Sequence, residues 1–232
     1  MVATGVGYSY PRIFAQLVKP HDGSEITKEE VKKYFKESEE LPAVLEEILK
    51  VNFKERIENI FKKISGGRSV ETPNGFDGEG KYAMGSIRMN MGGKGFIPVH
   101  CGNYFQQEFS AFYEHLKTEV KVEDQLSYFV TVNPAERGGE LSLFDQKWEI
   151  GQKKEDAGDD RGISLPNGEF IDMGPTSSIK RQKVKPEAGD LLIFSGGPVW
   201  HKVELVEGTE TRITIGGFLA YTEDKKTLKY WT

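Results

Sequence analysis

The hydrophobic rhythm of the chain changes near residue 80. Residues 1–24 are punctuated by Gly and Pro and predict irregular structure. Thr27-Lys28-Glu29-Glu30 has the form of a capping box, a hydroxyl three residues before a carboxylate, and predicts a helix opening there. From about Pro42 to Ile64, the residues Val44, Leu45, Ile48, Leu49, Ile57, Ile60, Phe61 and Ile64 recur mostly at helical spacing among Lys and Glu. Ser65-Gly66-Gly67 ends that run. Such an amphipathic stretch reads as a buttress for a sheet, with no chemistry of its own.

From Tyr82 onward, short apolar runs alternate with clusters of Gly, Pro, Asn and Asp, the texture of strands and turns. Predicted strands are Leu126 to Val132, Glu140 to Phe144, Asp190 to Phe194, Trp200 to Val206 and Arg212 to Tyr221. One helix intervenes: Phe105, Phe109, Phe112, Tyr113 and Leu116 form an amphipathic stripe directly after His100. Residues 145–188 interrupt the strands with the charged runs Lys153-Lys154-Glu155-Asp156 and Gly158-Asp159-Asp160-Arg161. They read as a solvated loop or as a lid near a binding mouth. Within them, Asn167-Gly168 between Leu165 and Phe170 signals a hairpin. Helices first and many strands afterwards predict a mainly β fold, a double-stranded β-helix (jelly roll, cupin-like) buttressed by α-helices. The expected organisation is a single domain over 1–232, with 1–80 as buttress and 81–232 as the jelly-roll core carrying the 145–188 insertion.

Composition narrows the function. At 232 residues the chain is long enough for one sizeable core. A net charge of −5 argues against nucleic acid, which wants a basic face. There is no apolar run of membrane-spanning length, and the first residues lack the basic-then-apolar pattern of a signal peptide. The single cysteine, Cys101, excludes an internal disulfide and a cysteine zinc cluster. It reads as a small strand residue pointing away from its neighbours' side chains. A reducing cytoplasm and a small-molecule substrate are the expected setting.

His100 closes the apolar run Phe96-Ile97-Pro98-Val99 and is followed by Cys101-Gly102-Asn103. His201 lies about a hundred residues on, in Val199-Trp200-His201-Lys202-Val203, after Gly189-Asp190-Leu191-Leu192-Ile193-Phe194, and Arg212 follows it on the next strand. Taken singly, each histidine is either a hydrogen-bonded core residue or a ligand. The joint pattern resembles the iron(II)- and 2-oxoglutarate-dependent oxygenase superfamily over roughly Phe96 to Tyr221, most specifically over Gly189 to Phe218. The resemblance implies that His100 and His201 are iron ligands and that Arg212 receives the distal carboxylate of 2-oxoglutarate as a bidentate pair. Ser127, Tyr128 and Thr214 are candidate hydroxyl partners of that cosubstrate. Asn103 and Trp200, beside the ligands, are candidates for orienting them or for bonding to a group on the metal. Phe105, Trp148, Phe170 and Trp200 offer aromatic surface to a substrate, and Arg88 offers either a partner for a substrate carboxylate or a surface charge.

Gly102 stands where the superfamily usually carries Asp or Glu. A glycine there reads as a lost ligand, as a residue needed for positive φ, or as a halide site. The His-x-Gly form is similar to the aliphatic halogenases of the superfamily, in which chloride binds iron in the carboxylate's place. The spacing of the histidines is closer to the free-standing members that act on soluble small molecules. The resemblance implies Fe(II), 2-oxoglutarate, O2 and chloride or bromide, with hydrogen abstraction from an unactivated C–H and transfer of chlorine to carbon. Two alternatives stand beside it: a hydroxylase or oxidase with a two-histidine iron site, and a non-catalytic jelly-roll binding domain.

Overall fold

Thr27 caps the first helix as its spacing to Glu30 predicts. Its hydroxyl accepts the Glu30 N–H at 3.2 Å, and the Glu30 carboxylate accepts the Thr27 N–H at 2.9 Å. In the computed structural model, which describes residues 7–12, 27–75, 78, 80–108, 110–155, 162–174 and 177–232, this helix, α1, spans Lys28–Leu49 and runs through Pro42. The single run expected from Pro42 to Ile64 is broken at its middle. Lys50 turns left-handed, with φ 56°, and Asn52 caps a second helix, α2 (Phe53–Ile64), by accepting the Glu55 N–H at 3.0 Å. An Asn side chain that satisfies an orphan N–H competes with helix continuation, which the apolar spacing alone does not register. The buried stripe of α2 is Phe53, Ile57 and Phe61, while Ile60 and Ile64 are exposed.

The chain divides into two compact units, neither of them one continuous segment. One holds the described residues of 1–8, 88–108 and 129–214; the other holds those of 9–87, 109–128 and 215–232. The boundary in the region of the division expected near residue 80 falls between Ile87 and Arg88, and each unit also takes in later segments. In the second unit α1 and α2 cover aromatic residues. Phe61 meets the rings of Tyr128 and Tyr230 edge-on, with centroids 5.0 and 5.5 Å away. The Tyr34 hydroxyl donates to the Thr232 carbonyl at 2.7 Å and accepts the Ala83 N–H at 3.0 Å. The strand Thr227–Trp231, not anticipated from the sequence, pairs antiparallel with Phe218 to Tyr221 and parallel with Ser69–Glu71. The stripe expected after His100 lies on two helices, α3 (Gly102–Glu108) and α4 (Ser110–Glu119). Phe109, and the side chain of Phe112, lie outside what is described.

The first unit is built on an antiparallel four-stranded sheet in the order 181–184, 141–147, 199–203, 97–100. The strand Leu191–Phe194 pairs with Leu126–Asn133. Val99, Cys101, Phe144, Ile163, Met173 and Trp200 form a buried cluster there, against which Trp148 packs. The segment 145–188 is more ordered than a solvated loop. It contains the three-stranded sheet of Lys153–Glu155, Gly162–Ser164 and Phe170–Asp172, and then the strand Arg181–Val184. The predicted hairpin is present, with Ser164 opposite Phe170 and Gly168 at φ 85°, a conformation glycine adopts without steric cost. Part of the charged run, residues 156–161, lies outside the described residues. The architecture is mainly β and antiparallel; the described chain opens on the short strand Gly7–Tyr10, where irregular structure was expected, and the two long helices follow it. Among the described residues no helix is long and apolar enough to cross a membrane.

Candidate metal centre

Strands 97–100 and 199–203 run antiparallel with His100 directly opposite His201. Cross-strand partners project from the same sheet face, and the two imidazole centroids lie 4.2 Å apart. Each ring is anchored in the same way, to the carbonyl two residues earlier. His100 Nδ1 is 2.6 Å from the Pro98 oxygen, and His201 Nδ1 is 2.8 Å from the Val199 oxygen. A carbonyl can only accept, so each Nδ1 carries the proton and each Nε2 keeps its lone pair. Phe105 stacks on His100 at 5.6 Å, and Phe194 meets His201 edge-on at 4.9 Å.

Burial keeps both rings neutral. It lowers His100 well below the usual histidine range, with the neighbouring His201 adding to the effect. It pushes His201 down to about 4 against the opposing effect of the Val199 bond, and Arg88 lowers it further. Neutral imidazoles with Nε2 lone pairs held on one face are the donor set a divalent transition metal takes. These residues fit iron, and among the described residues no cluster of three or more His, Cys, Asp or Glu joins them.

Gly102 opens α3 in right-handed helical conformation, so the reading that glycine was needed there for positive φ is corrected. Its N–H donates to the Gly196 carbonyl at 2.8 Å, and the Asn103 N–H donates to Gly197 at 2.9 Å, fixing this turn against the loop before the His201 strand. The Asn103 side chain accepts from Gln106 Nε2 at 3.0 Å through Oδ1, which leaves its Nδ2 as the donating end.

Arg212 is almost fully buried. Its Nη1 lies 3.5 Å from Asn90 Oδ1, and its guanidinium carbon sits 5.3 Å from the Phe129 ring centroid. Burial and the charge of Arg88 push it down to about 10, which leaves it protonated at neutral pH. Thr214, two residues on, is buried and by strand alternation shares its face. Gly139, at φ 68°, passes close by: a Cβ there would stand 3.2 Å from Arg212 Cδ.

Other expected residues are placed differently. Tyr128 belongs to the other unit, where its hydroxyl donates to the Met84 carbonyl and its ring packs on Phe61 and Tyr230. Ser127 is buried in that unit as well. Trp200 alternates away from His201 into the core and donates from Nε1 to Gln152 Oε1 at 2.9 Å, so it is a packing residue. Cys101, as expected, turns away from His100; it is fully buried, and burial raises its thiol to about 12. Phe170 is exposed. Sequence reasoning missed Asn90, Phe129 and Phe194. Asn90 and Phe129 each touch Arg212 from a strand remote in sequence, which no local pattern marks, while Phe194 meets His201 only seven residues on and stood unmarked inside the apolar run Leu191–Phe194.

A pair of neutral imidazoles on facing strands, with a buried arginine in the same unit of an antiparallel β fold, defines an oxidoreductase of the iron(II)/2-oxoglutarate class. The fold agrees. An N-substituted L-amino acid dioxygenase from Burkholderia ambifaria AMMD, in complex with alpha-KG, is similar at a TM-score of 0.51 and 17% identity, over 88% of this chain and 70% of that one. A second structure of such a dioxygenase from the same organism matches at 0.51 and 17%, over 89% and 72%. No curated protein is similar to the chain at a significant level. The profile of the family described as carrier-protein-independent halogenase WelO5 matches residues 23–232, and the chain belongs to that family. Membership sets aside the non-catalytic binding domain.

Proposed function

We propose that the protein is an Fe(II)/2-oxoglutarate halogenase that places chlorine on an unactivated C–H of a small molecule not tethered to a carrier protein. The observation that carries this reading is the turn after His100. Gly102 lies in plain helical backbone, tied to Gly196, so a side chain is missing there for no conformational reason. Fe(II), two neutral imidazoles and dianionic 2-oxoglutarate sum to zero charge. An aspartate at position 102 would make the site anionic and take the third protein position, whereas glycine leaves both charge and volume for a halide.

When bound, iron with 2-oxoglutarate, O2 and chloride supplies hydrogen abstraction and the transfer of chlorine to carbon. The chain's residues supply the placement. His100 and His201 present Nε2 to the metal, with their tautomers set by Pro98 and Val199. Arg212 holds the distal carboxylate of 2-oxoglutarate through its planar fork, and buried Thr214 adds a hydroxyl on the same strand face. Asn103, its oxygen taken by Gln106, has its amide N–H left to donate to a group carried by the metal. A single, deeply buried thiol accords with a reducing cytoplasm.

The test is turnover of a candidate library with iron, ascorbate and 2-oxoglutarate, with and without chloride or bromide, read by product mass. Chlorinated product is expected from the wild type and none from Gly102→Asp, whose carboxylate excludes chloride by charge and volume. Hydroxylated product alone, with no halide effect on the iron spectrum, would hand the function to a two-histidine hydroxylase.

A further inference from the structure

The four-stranded sheet carries one row of directly opposed residues across its full width. His100 faces His201, His201 faces Leu143, and Leu143 faces Gln182. Opposed residues of antiparallel strands project from the same side, so Leu143 and Gln182 share the face that bears both imidazoles. Neighbouring strands are about 4.8 Å apart, which sets Gln182 two strands, or about 10 Å, from His201. Asp145 lies two residues beyond Leu143 and Lys180 two before Gln182, so both stand on this face as well. They are opposite each other, with the Asp145 N–H donating to the Lys180 carbonyl at 2.8 Å. This end of the sheet is the one at which the strand Ile97–His100 stops and α3 begins. An open cleft of about 470 Å³ is lined here by Leu143, Phe144, Asp145, Lys180, Arg181 and Gln182. Phe144 belongs to the buried cluster, and Arg181 lies 3.7 Å from Glu204 on that other side, so the cleft opens on the face of the histidines. Asp145, Lys180 and Gln182 are exposed in it. Among the described residues the side chains of Asp145 and Lys180 form no ion pair or hydrogen bond, with each other or elsewhere.

We propose that the substrate is a free α-amino acid, held by its head group between Asp145 and Lys180 while its side chain passes over Leu143 to the metal centre. The proposal rests on the iron/2-oxoglutarate reading, which puts the reacting carbon beside His100 and His201. A free α-amino acid presents an ammonium and a carboxylate on one carbon, and a peptide or an ester lacks one of the two. Asp145 receives the ammonium and Lys180 the carboxylate, each through charge-assisted hydrogen bonds. Opposed residues have Cβ atoms about 5 Å apart, so an ion with one charge gains from one partner and is repelled by the other. Only a ligand that carries both charges gains from both. The neutral amide of Gln182 offers a donor and an acceptor without favouring either sign. Leu143, half-buried between this polar end and His201, gives apolar contact to the aliphatic part. Asp145 and Lys180 are thus specificity residues, and the carbons that reach the metal are the unactivated ones of the amino-acid side chain.

The holoenzyme, loaded anaerobically with Fe(II) and saturating 2-oxoglutarate, is titrated by calorimetry with two amino acids and their single-charge relatives. L-Norvaline is compared with pentanoate and butylamine, and L-phenylalanine with hydrocinnamate and phenethylamine. At least one amino acid should bind at least about tenfold more tightly than both of its relatives. Asp145→Asn should bring that amino acid down to the level of its carboxylate relative, and Lys180→Gln should bring it down to the level of its amine relative. Both side chains are exposed, so both variants should melt with the wild type, and in both the 2-oxoglutarate–Fe(II) charge-transfer band should titrate within about twofold of it. No preference for either amino acid, or a preference that survives in both variants, overturns the proposal. Weakened 2-oxoglutarate binding in Lys180→Gln also overturns it and makes Lys180 a cosubstrate residue. If the wild type itself gives no charge-transfer band, the oxygenase reading fails; a normal band with no amino-acid preference defeats the substrate proposal alone.

Discussion

A histidine whose Nδ1 is tied to a carbonyl of its own strand has its ring angle and its tautomer chosen before any metal arrives. Both candidate ligands are tied in this way, so His100→Ala and His201→Ala should each abolish the 2-oxoglutarate–Fe(II) charge-transfer band and leave the fold intact. An unchanged band in either variant would remove that residue from the ligand set. Arg212→Leu should weaken 2-oxoglutarate by at least about tenfold, with lysine restoring only part. Unaltered apparent affinity would give the role to another cation. Acid should act on the metal-free protein through the same rings. An unfolded histidine takes its proton near 6.5, while folded His201 waits until about 4. Between those values the unfolded chain binds the extra proton, so folding stability is full above the upper value and falls as the pH drops toward the lower. His100 shifts in the same direction. Melting temperatures of the metal-free protein at neutral and mildly acidic pH should show this fall. A His201→Gln variant with the wild-type slope would refute the assignment. At this scale the sequence disclosed the residues whose chemistry is unusual for their place, His100, His201 and Arg212. It did not disclose which strand face a hydroxyl occupies, and so it put Tyr128 forward, whose hydroxyl is spent on Met84.

Among the elements, the break between α1 and α2 is held by a residue poorly suited to it. Lys50 sits at φ 56°, where a side chain costs about 1–2 kcal/mol relative to the right-handed region. Lys50→Gly should therefore stabilise the protein by roughly 0.5–1 kcal/mol, measured by denaturant titration. A loss of stability would mean that the lysine side chain contributes more than its backbone costs. The helix start at Thr27 and the strand Arg212–Tyr221 were legible to the residue, the one from a capping box and the other from the β-branched Ile213-Thr214-Ile215 followed by the apolar Phe218-Leu219-Ala220-Tyr221. The strand Thr227–Trp231 was not. Its Lys229 is buried, bound to Glu119 and lying 3.4 Å from Glu71, so a charged position of this strand points inward. An ion pair made by partners over a hundred residues apart in sequence leaves no periodic trace.

In the molecule as a whole, early and late segments share one unit. Ser69–Glu71 pairs with Thr227–Trp231, and Phe61 packs on Tyr128 and Tyr230. The tidy division at residue 80 suggested by the change of rhythm is thus a division of pattern, and folding does not follow it. A fragment of residues 81–232 should lack a cooperative thermal transition and near-ultraviolet dichroism, and a sharp melt from it would show that the later segment folds alone.

The solitary thiol of Cys101 adds a built-in clock. It sits between a proposed iron ligand and the glycine turn, fully buried and held in its protonated form by burial. An alkylating reagent can reach it only when this end of the sheet opens, and with no second cysteine every modified molecule records that one event. The labelling rate therefore reports how often the centre breathes, and it can be followed by intact mass with no substrate in hand. Iron together with 2-oxoglutarate should slow it, because each opening must first let go of the metal.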